Sequence, residues 1–415
     1  MRTNTTETAG RAQPQLTGLA YVSDPLAIAE SLCEAAALPP GSIILQACYQ
    51  RLKASVSALV MYRGTIEDQP FHCYAKSFSA AAHDKFTKAC LRSVRDCSPL
   101  PGRVVLSELR TVILCFPNDL VLRSLRRLAT PYSVLSYKPE RRAVLHLAQQ
   151  NHGDIVLKTY RTRAYSAALK RAEMARAVPS MPRLLGGEEK YARLYFRWQA
   201  GTPLNEAIVQ GSAEEDLVGD AAALLADLHA QALPASLAPL EIDPGSRLSQ
   251  LRDDLCVYTG KPMPEFAVFE RLARAMSPQQ DKPVFCHGDF YSNQVLCTDT
   301  GLRFLDTDNL CAAPTGFDVG LFIAHLRFDV ARGRITAARC DKLTRAFLAR
   351  YRAQRRMSEQ ALTHWTVFGL LQLSHRAYRD AMPEPLQRTR HWLQQCLNYL
   401  NNLPAREDAT VETSI

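Results

Sequence analysis

No run of eighteen apolar residues occurs in the 415-residue chain, so nothing in it reads as a helix that crosses a bilayer. The opening MRTNTTETAGRAQPQ has neither an apolar core nor a small-residue cleavage pattern, which argues against a secretory signal. The twelve cysteines, from Cys33 to Cys396, include no C-x-x-C pair and have no histidine cluster beside them, so the usual zinc and dithiol signatures are excluded. Scattered in this way, they read as small buried hydrophobes of a reducing compartment, and the expected location is cytoplasmic. Blocks of basic residues are lacking too. The formal charge of +9 fits nucleic acid, an anionic membrane surface or an anionic substrate, but the pairs Arg126-Arg127, Arg141-Arg142 and Arg355-Arg356 are dispersed and have no interleaved aromatics, and this distribution weakens the first two.

What is present is globular. Hydrophobic residues make up 47% and charged residues 22%, and the length exceeds one ordinary core, which implies two or three packed units. A polar arm over residues 1–15 precedes an α+β unit over 16–130: a helix from Asp24 to Ala37, a Pro39-Pro40 break, then strands at Ile43 to Cys48, Ser55 to Tyr62, Phe71 to Phe78, Val104 to Ser107 and Val112 to Phe116.

The pattern restarts over 131–203. Strands are expected at Ser133 to Ser136, Ala143 to Leu147 and Ile155 to Tyr160, a helix at Arg163 to Ala177, and strands at Arg183 to Leu185 and Ala192 to Trp198, giving a five-stranded antiparallel sheet with one helix. Tyr49 to Lys76 and Tyr137 to Lys158 both read as a hairpin, a loop and a strand ending in lysine, which fits either a duplication or a generic sheet. Gly201-Thr202-Pro203 reads as a linker. Long helices then fill 204–402, the first opening on a Ser212/Glu215 capping box, with a loop at Pro244-Gly245 and a helix at Pro264 to Met276; a polar tail covers 403–415.

The densest polar motif is Cys286-His287-Gly288-Asp289-Phe290-Tyr291-Ser292-Asn293-Gln294-Val295-Leu296, followed by Phe304-Leu305-Asp306-Thr307-Asp308. Phosphoryl transfer needs such carboxylates, one to meet an acceptor hydroxyl and another, with an amide or carboxylate helper, to hold magnesium against phosphate oxygens. Alone, each piece also reads as a turn or a solvated strand end; together and in order they form a constellation.

The segment resembles the aminoglycoside-phosphotransferase and choline-kinase group, over about Tyr132 to Asn401. His287-Gly288-Asp289 resembles the family's catalytic-loop triplet, Asp306 falls seventeen residues after Asp289 where the metal-binding aspartate is expected, and Pro314 to Asp318 resembles the downstream segment whose aspartate supports the loop. The resemblance implies an α+β, bilobal protein-kinase-like fold, with an antiparallel sheet N-lobe and a mostly helical C-lobe, preceded by an additional small α+β N-terminal domain.

By the same resemblance, Asp289 is the catalytic base, Gln294 and Asp306 hold Mg2+, and Asp318 supports the loop, with Asn293 and Asp308 as neighbours able to contribute. His287 reads as a loop-packing residue. Lys158 is expected to hold the nucleotide phosphates and Glu173 to pair with it, although Glu173 also reads as a solvated helix residue. Trp198 and Gln199 lie in the segment that resembles the interlobe hinge beside the nucleotide base.

Two departures stand out. The family usually has asparagine where this chain has Gln294, a pattern similar to the maltokinase branch, whose members carry an N-terminal cap. A glycine-rich phosphate loop is also lacking; its hairpin holds Lys138, Arg141 and Arg142, which read equally as phosphate ligands or as a solvated turn. The expected activity is transfer of phosphate from ATP or GTP to a hydroxyl of a small molecule, with a sugar or sugar-like acceptor first and an aminoglycoside second. A nucleotide-binding pseudokinase is the alternative that the two departures suggest. The sequence carries no indication of oligomeric state.

Overall fold

The computed structural model describes residues 18–401 except 54, 149–152, 236, 238–243 and 276–281. The arm, the tail, part of the loop around Gly153 and the end of the helix expected to reach Met276 therefore lie outside the described residues.

Two short helices open the described chain, α1 (Leu19–Val22) and α2 (Pro25–Ala35). Asp24 caps α2, its carboxylate accepting from the N–H groups of Leu26 and Ala27, and Pro25 suits the first helical position, where no N–H is needed. The first sheet contains β1 (Ile43–Lys53), β2 (Ser57–Ile66), β3 (Gln69–Phe78), β4 (Arg103–Leu106) and β5 (Thr111–Cys115), with α3 (His83–Cys90) between β3 and β4. The second contains β6 (Ser133–Lys138), β7 (Arg142–Leu147), β8 (Ile155–Tyr160), β9 (Leu184–Glu188) and β10 (Arg193–Arg197), with α4 (Thr162–Met174) between β8 and β9.

The two sheets share one strand order, β1-β2-β3-β5-β4 and β6-β7-β8-β10-β9, and in both the helix follows the third strand. Strand alternation extends the likeness to the faces. Lys76 shares the face of Tyr74 and Phe78, which pack with Phe86 and Ala89 of α3. Lys158 shares the face of Val156 and Tyr160, which pack with Tyr165, Ala168 and Ala172 of α4.

The sheets are stacked in series around one core. Tyr49, Leu59, Tyr74 and Leu114 of the first meet Tyr137, Ala143, Leu145 and Leu157 of the second. The opposite face of the first sheet is closed by Ile28, Leu32 and Cys33 of α2. Ten or so large buried side chains at such a joint, each worth about 1.5–3 kcal/mol, make it a core rather than a surface contact.

Beyond Arg197 the chain enters the helical lobe through β11 (Thr202–Pro203), α5 (Leu204–Gln210), α6 (Glu215–Ala230), α7 (Pro244–Thr259) and α8 (Ala267–Ala275). Two expectations are corrected here. The Ser212/Glu215 capping box does not form, because Gly211 ends α5 in the left-handed region and Ser212 Oγ donates back to the Ala207 carbonyl, so α6 starts after Glu214 with no side-chain cap. The loop expected at Pro244-Gly245 is the first turn of α7, where proline at a helix start costs nothing.

Two small sheets carry the polar motif, β12 (Val284–Cys286) with β15 (Cys311–Ala313), and β11 with β13 (Val295–Thr298) and β14 (Gly301–Phe304). The lobe is completed by α9 (Gly316–Ala331), α10 (Ala337–Arg352), α11 (Glu359–Leu373), α12 (Arg376–Arg379) and α13 (Pro385–Asn401). Helices α9 and α11 approach closely at glycine: a Cβ on Gly320 would sit 2.4 Å from the Trp365 backbone.

Candidate active site

The loop between β12 and β13 is held from below by Asp318, at the start of α9. Its fully buried carboxylate accepts from the backbone N–H of His287 at 2.6 Å and of Gly288 at 2.9 Å, and contacts His229 Nε2 at 3.2 Å. Burial works against ionisation of Asp318, but His229 and the backbone donors win and hold its pKa below the usual carboxylate value. Gly288 has φ +80°, and a Cβ there would lie 1.9 Å from the Asn309 carbonyl oxygen, so only glycine fits this turn. His287 donates through Nε2 to the Leu305 carbonyl at 2.9 Å, which ties the loop to β14. This bond engages His287 in loop structure.

Asp289 stands half-buried at the tip of that loop. Burial, helped by the charge of Asp306, pushes its pKa up to about 6, against the pull of His287, Lys138 and Arg376. Asn293 is exposed, while Gln294 is half-buried and its backbone carbonyl accepts from Leu305 N at 2.7 Å, which sets Gln294 next to the start of the Asp306 segment. Asp306 itself has φ +66°, a sparsely populated conformation for a non-glycine residue.

Opposite the loop, the second sheet delivers cations. Lys158 Nζ donates to Asp306 Oδ1 at 2.6 Å and to Asp308 Oδ1 at 3.5 Å. Arg142 Nη1 donates to Asp306 Oδ2 at 2.9 Å and also to Asp308 Oδ2. Tyr160 OH donates to Asp308 Oδ1 at 2.7 Å. Two carboxylates are thus matched by two cations. Burial would raise the pKa of Asp306, yet Lys158 and Arg142 keep it well below the ordinary range.

Not every candidate is brought here. Glu173 is exposed on α4 and has no ion-pair partner among the described residues; Lys158 pairs with Asp306 and Asp308 instead. The two aspartates lie across the lobe boundary, a placement that sequence spacing does not encode. Lys138 is half-buried, and burial with Arg142, Arg379 and Arg376 lowers its pKa to about 8, while Asp289 pulls the other way. Arg141 is exposed. Trp198 stacks obliquely on His146, with ring centroids 4.3 Å apart, and its backbone N–H donates to the Asp154 backbone carbonyl; Gln199 follows it, half-buried.

Arg142 is the residue that sequence reasoning underweighted, although a signal existed: Val144 pairs with Lys158 across β7 and β8, so alternation puts Arg142 and Lys158 on one face. The hairpin is also anchored from outside. Buried Glu140 accepts from Lys76 Nζ at 2.6 Å and Arg51 Nη2 at 2.5 Å, while its backbone N–H donates to the buried Asp119 at 2.8 Å. These contacts hold Glu140 itself at φ +60°, a left-handed conformation that glycine adopts more readily.

The sequence matches the phosphotransferase enzyme family known as APH over residues 140–359, more than half of its 415 residues. The chain belongs to that family. It is a phosphotransferase. Among solved structures it is similar to choline kinase from Cryptosporidium parvum Iowa II, at 11% identity over 65% of this chain and 89% of that one, with a TM-score of 0.49. It is similar also to an aminoglycoside-3'-phosphotransferase of type VIII, at 20% identity over 60% and 96%, TM-score 0.46, and to choline kinase from Streptococcus pneumoniae, at 12% over 67% and 96%, TM-score 0.46. No curated protein matches the chain by sequence.

The carboxylate oxygens of Asp306 and Asp308 are hard donors of the kind that suits a dication, and the backbone of Gln294 lies beside them while its side chain bonds Tyr291. The low pKa of Asp306 keeps its own carboxylate anionic near neutrality.

Proposed function

We propose that this phosphotransferase moves the γ-phosphate of a magnesium-bound nucleoside triphosphate, ATP or GTP, to a hydroxyl of a sugar or sugar-like polyol. The observation that carries the reading is Asp289, a half-buried carboxylate with a pKa near 6, beside the Asp306, Asp308, Lys158 and Arg142 cluster. A group with that pKa is largely ionised at neutral pH and still basic enough to accept a proton.

In the proposed step the acceptor oxygen forms a bond to the γ-phosphorus as the bond from that phosphorus to the bridging β–γ oxygen breaks. The hydroxyl proton passes to Asp289, and the nucleoside diphosphate departs with the bridging oxygen. Lys158 and Arg142 neutralise phosphate charge, and Asp318 keeps the Asp289 loop in place. Gln294 and Asp306, with Asp308 beside them, would hold magnesium, which supplies charge neutralisation at the phosphate oxygens.

The cations that act on Asp289, Lys138 and Arg376, favour a neutral or anionic acceptor over a polycation such as an aminoglycoside. Gln294 in place of asparagine and the added N-terminal unit support the capped, maltokinase-like branch. The test is a phosphorylation assay on a metabolite extract, comparing the native chain with Asp289→Ala. A phosphorylated metabolite formed only by the native protein supports the proposal. Equal turnover by both proteins, or transfer to protein alone, overturns it, and nucleotide binding without any product returns the pseudokinase reading.

A further inference from the structure

A cavity of about 1050 Å³ lies between the first sheet and the second; neither Asp289 nor Lys158 lines it, and Tyr160, whose hydroxyl bonds Asp308, forms part of the wall that separates it from them. Eleven of its twenty-four lining residues are lysine or arginine, and one, Glu140, is acidic. That carboxylate is already engaged by Arg51 and Lys76. Lys85, Lys88, Arg123, Arg163 and Lys190 have no ion-pair partner among the described residues. The cations come from segments far apart in sequence, which is why no basic run announces them.

These charges crowd one another. Burial and the neighbouring cations lower the pKa of Arg92, beside Arg123 and Arg126, and that of Lys53, beside Arg51 and Lys76. An anion in the cavity relieves this repulsion. The first turn of α4 adds to the field, since Arg161, Thr162 and Arg163 line the cavity and no side chain caps that helix end.

The place of the cavity within its unit repeats that of the catalytic cleft. It is bordered by the β1–β2 turn at Lys53 and Ser57, by Lys76 on the third strand and by Lys85 and Lys88 on the following helix. The catalytic cleft takes Arg142 from beside the β6–β7 turn and Lys158 from the third strand of the matching sheet. Lys76 meets Glu140 of the next unit at 2.6 Å, as Lys158 meets Asp306 of the next lobe at 2.6 Å.

We propose that this cavity is a second ligand site, for a small molecule that carries a linear chain of phosphates. Its volume is that of a small-molecule pocket, and it offers no row of exposed aromatic rings on which successive bases of a nucleic-acid strand would stack. The chain of phosphates matches cations spread over both sheets. Val56, Phe78, Leu120 and Leu122, which belong to one apolar cluster, give the cavity an apolar wall, which suits a nucleoside at the end of the chain.

The test is calorimetric titration of the full chain with inorganic tripolyphosphate and, separately, with magnesium-free ATP. Tripolyphosphate should bind saturably. The triple reversal Lys85→Glu, Arg123→Glu and Arg163→Glu, all at exposed positions, should weaken it at least about tenfold. Lys158→Ala, in the catalytic cleft, should leave this binding within about twofold, as should reversal of the distant Arg345, Arg350 and Arg356. Circular dichroism checks that each variant is folded. A cavity site that prefers ATP identifies a nucleotide ligand, and equal affinities identify the phosphate chain alone; either outcome supports the proposal. It is overturned by absence of saturable binding, by loss in Lys158→Ala alone, by equal loss in the distant reversal, or by tighter binding of oligouridylate than of tripolyphosphate.

Discussion

Lys76 and Glu140 meet at 2.6 Å across sixty-four residues of sequence, and that contact ties the first sheet to the hairpin that carries Arg142 into the active site. Arg51 completes the buried triad. Glu140→Ala should leave two buried cations without a partner and cost about 3–5 kcal/mol in urea unfolding, with Glu140→Gln costing less. An unchanged midpoint in Glu140→Ala would mean that the triad does not hold the joint.

Asp289 sets the expected pH dependence. Its folded pKa of about 6 lies above the ordinary aspartate value, so the folded state favours the protonated form. The base must be ionised, so kcat/KM should rise with pH through about 6 and level off above it. Stability runs the other way: the raised pKa contributes stability at low pH that is lost as pH rises through 6. Asp289→Asn should therefore abolish turnover yet raise the melting temperature at pH 8, by the equivalent of up to about 3 kcal/mol. A lowered melting temperature at pH 8 would count against strain at this carboxylate.

Gly288→Ala tests the loop. With φ +80° and a Cβ forced against the Asn309 carbonyl, the loop must shift. Displacement of Asp289 by about 1 Å should cost at least about hundredfold in kcat. Wild-type kinetics in this variant would sink the geometric account.

Arg142 and Glu173 separate two ways of handling the nucleotide phosphates. Arg142 lies at the carboxylates and Glu173 is exposed on α4. Arg142→Ala should raise the nucleotide KM at least about tenfold, as expected for loss of a charge-assisted contact, whereas Glu173→Ala should leave it within about twofold. The reverse ranking would restore the Lys158–Glu173 pair.

Gln294 can be read through the metal. Gln294→Ala should raise the magnesium concentration for half-maximal activity at least about tenfold, with Gln294→Asn recovering part of the loss through the same amide oxygen. An equal magnesium requirement in all three proteins would remove Gln294 from the metal site.

Much of this site was legible in the chain because its parts are local. His287-Gly288-Asp289, Gln294 and Asp306 lie within twenty residues, on a strand, a loop and a hairpin whose short apolar runs write their own register. Lys158 was legible for the same reason, inside a short strand that opens on the β-branched pair Ile155-Val156. Helix starts were less so. Ser212 carried a sound capping pattern, but the close of α5 by Gly211 left its hydroxyl bonded to Ala207, and α6 began without it.

The sequence by itself determined most strands of the two five-stranded sheets, the HGD loop and the repeat of a hairpin followed by a lysine-bearing strand, since these follow from periodicity, glycine placement and short-range spacing, whereas α3 and α7 were not read from it. Only the tertiary structure decided which charges meet. Lys158 was given to Asp306 rather than Glu173, Glu140 was given to Lys76 and Arg51, and scattered lysines and arginines were gathered around one cavity. The physical reason is that a charge is paired by whatever packing brings within a few ångströms of it, and packing of whole sheets and lobes is fixed by apolar faces, not by the charged residues that those faces carry into contact.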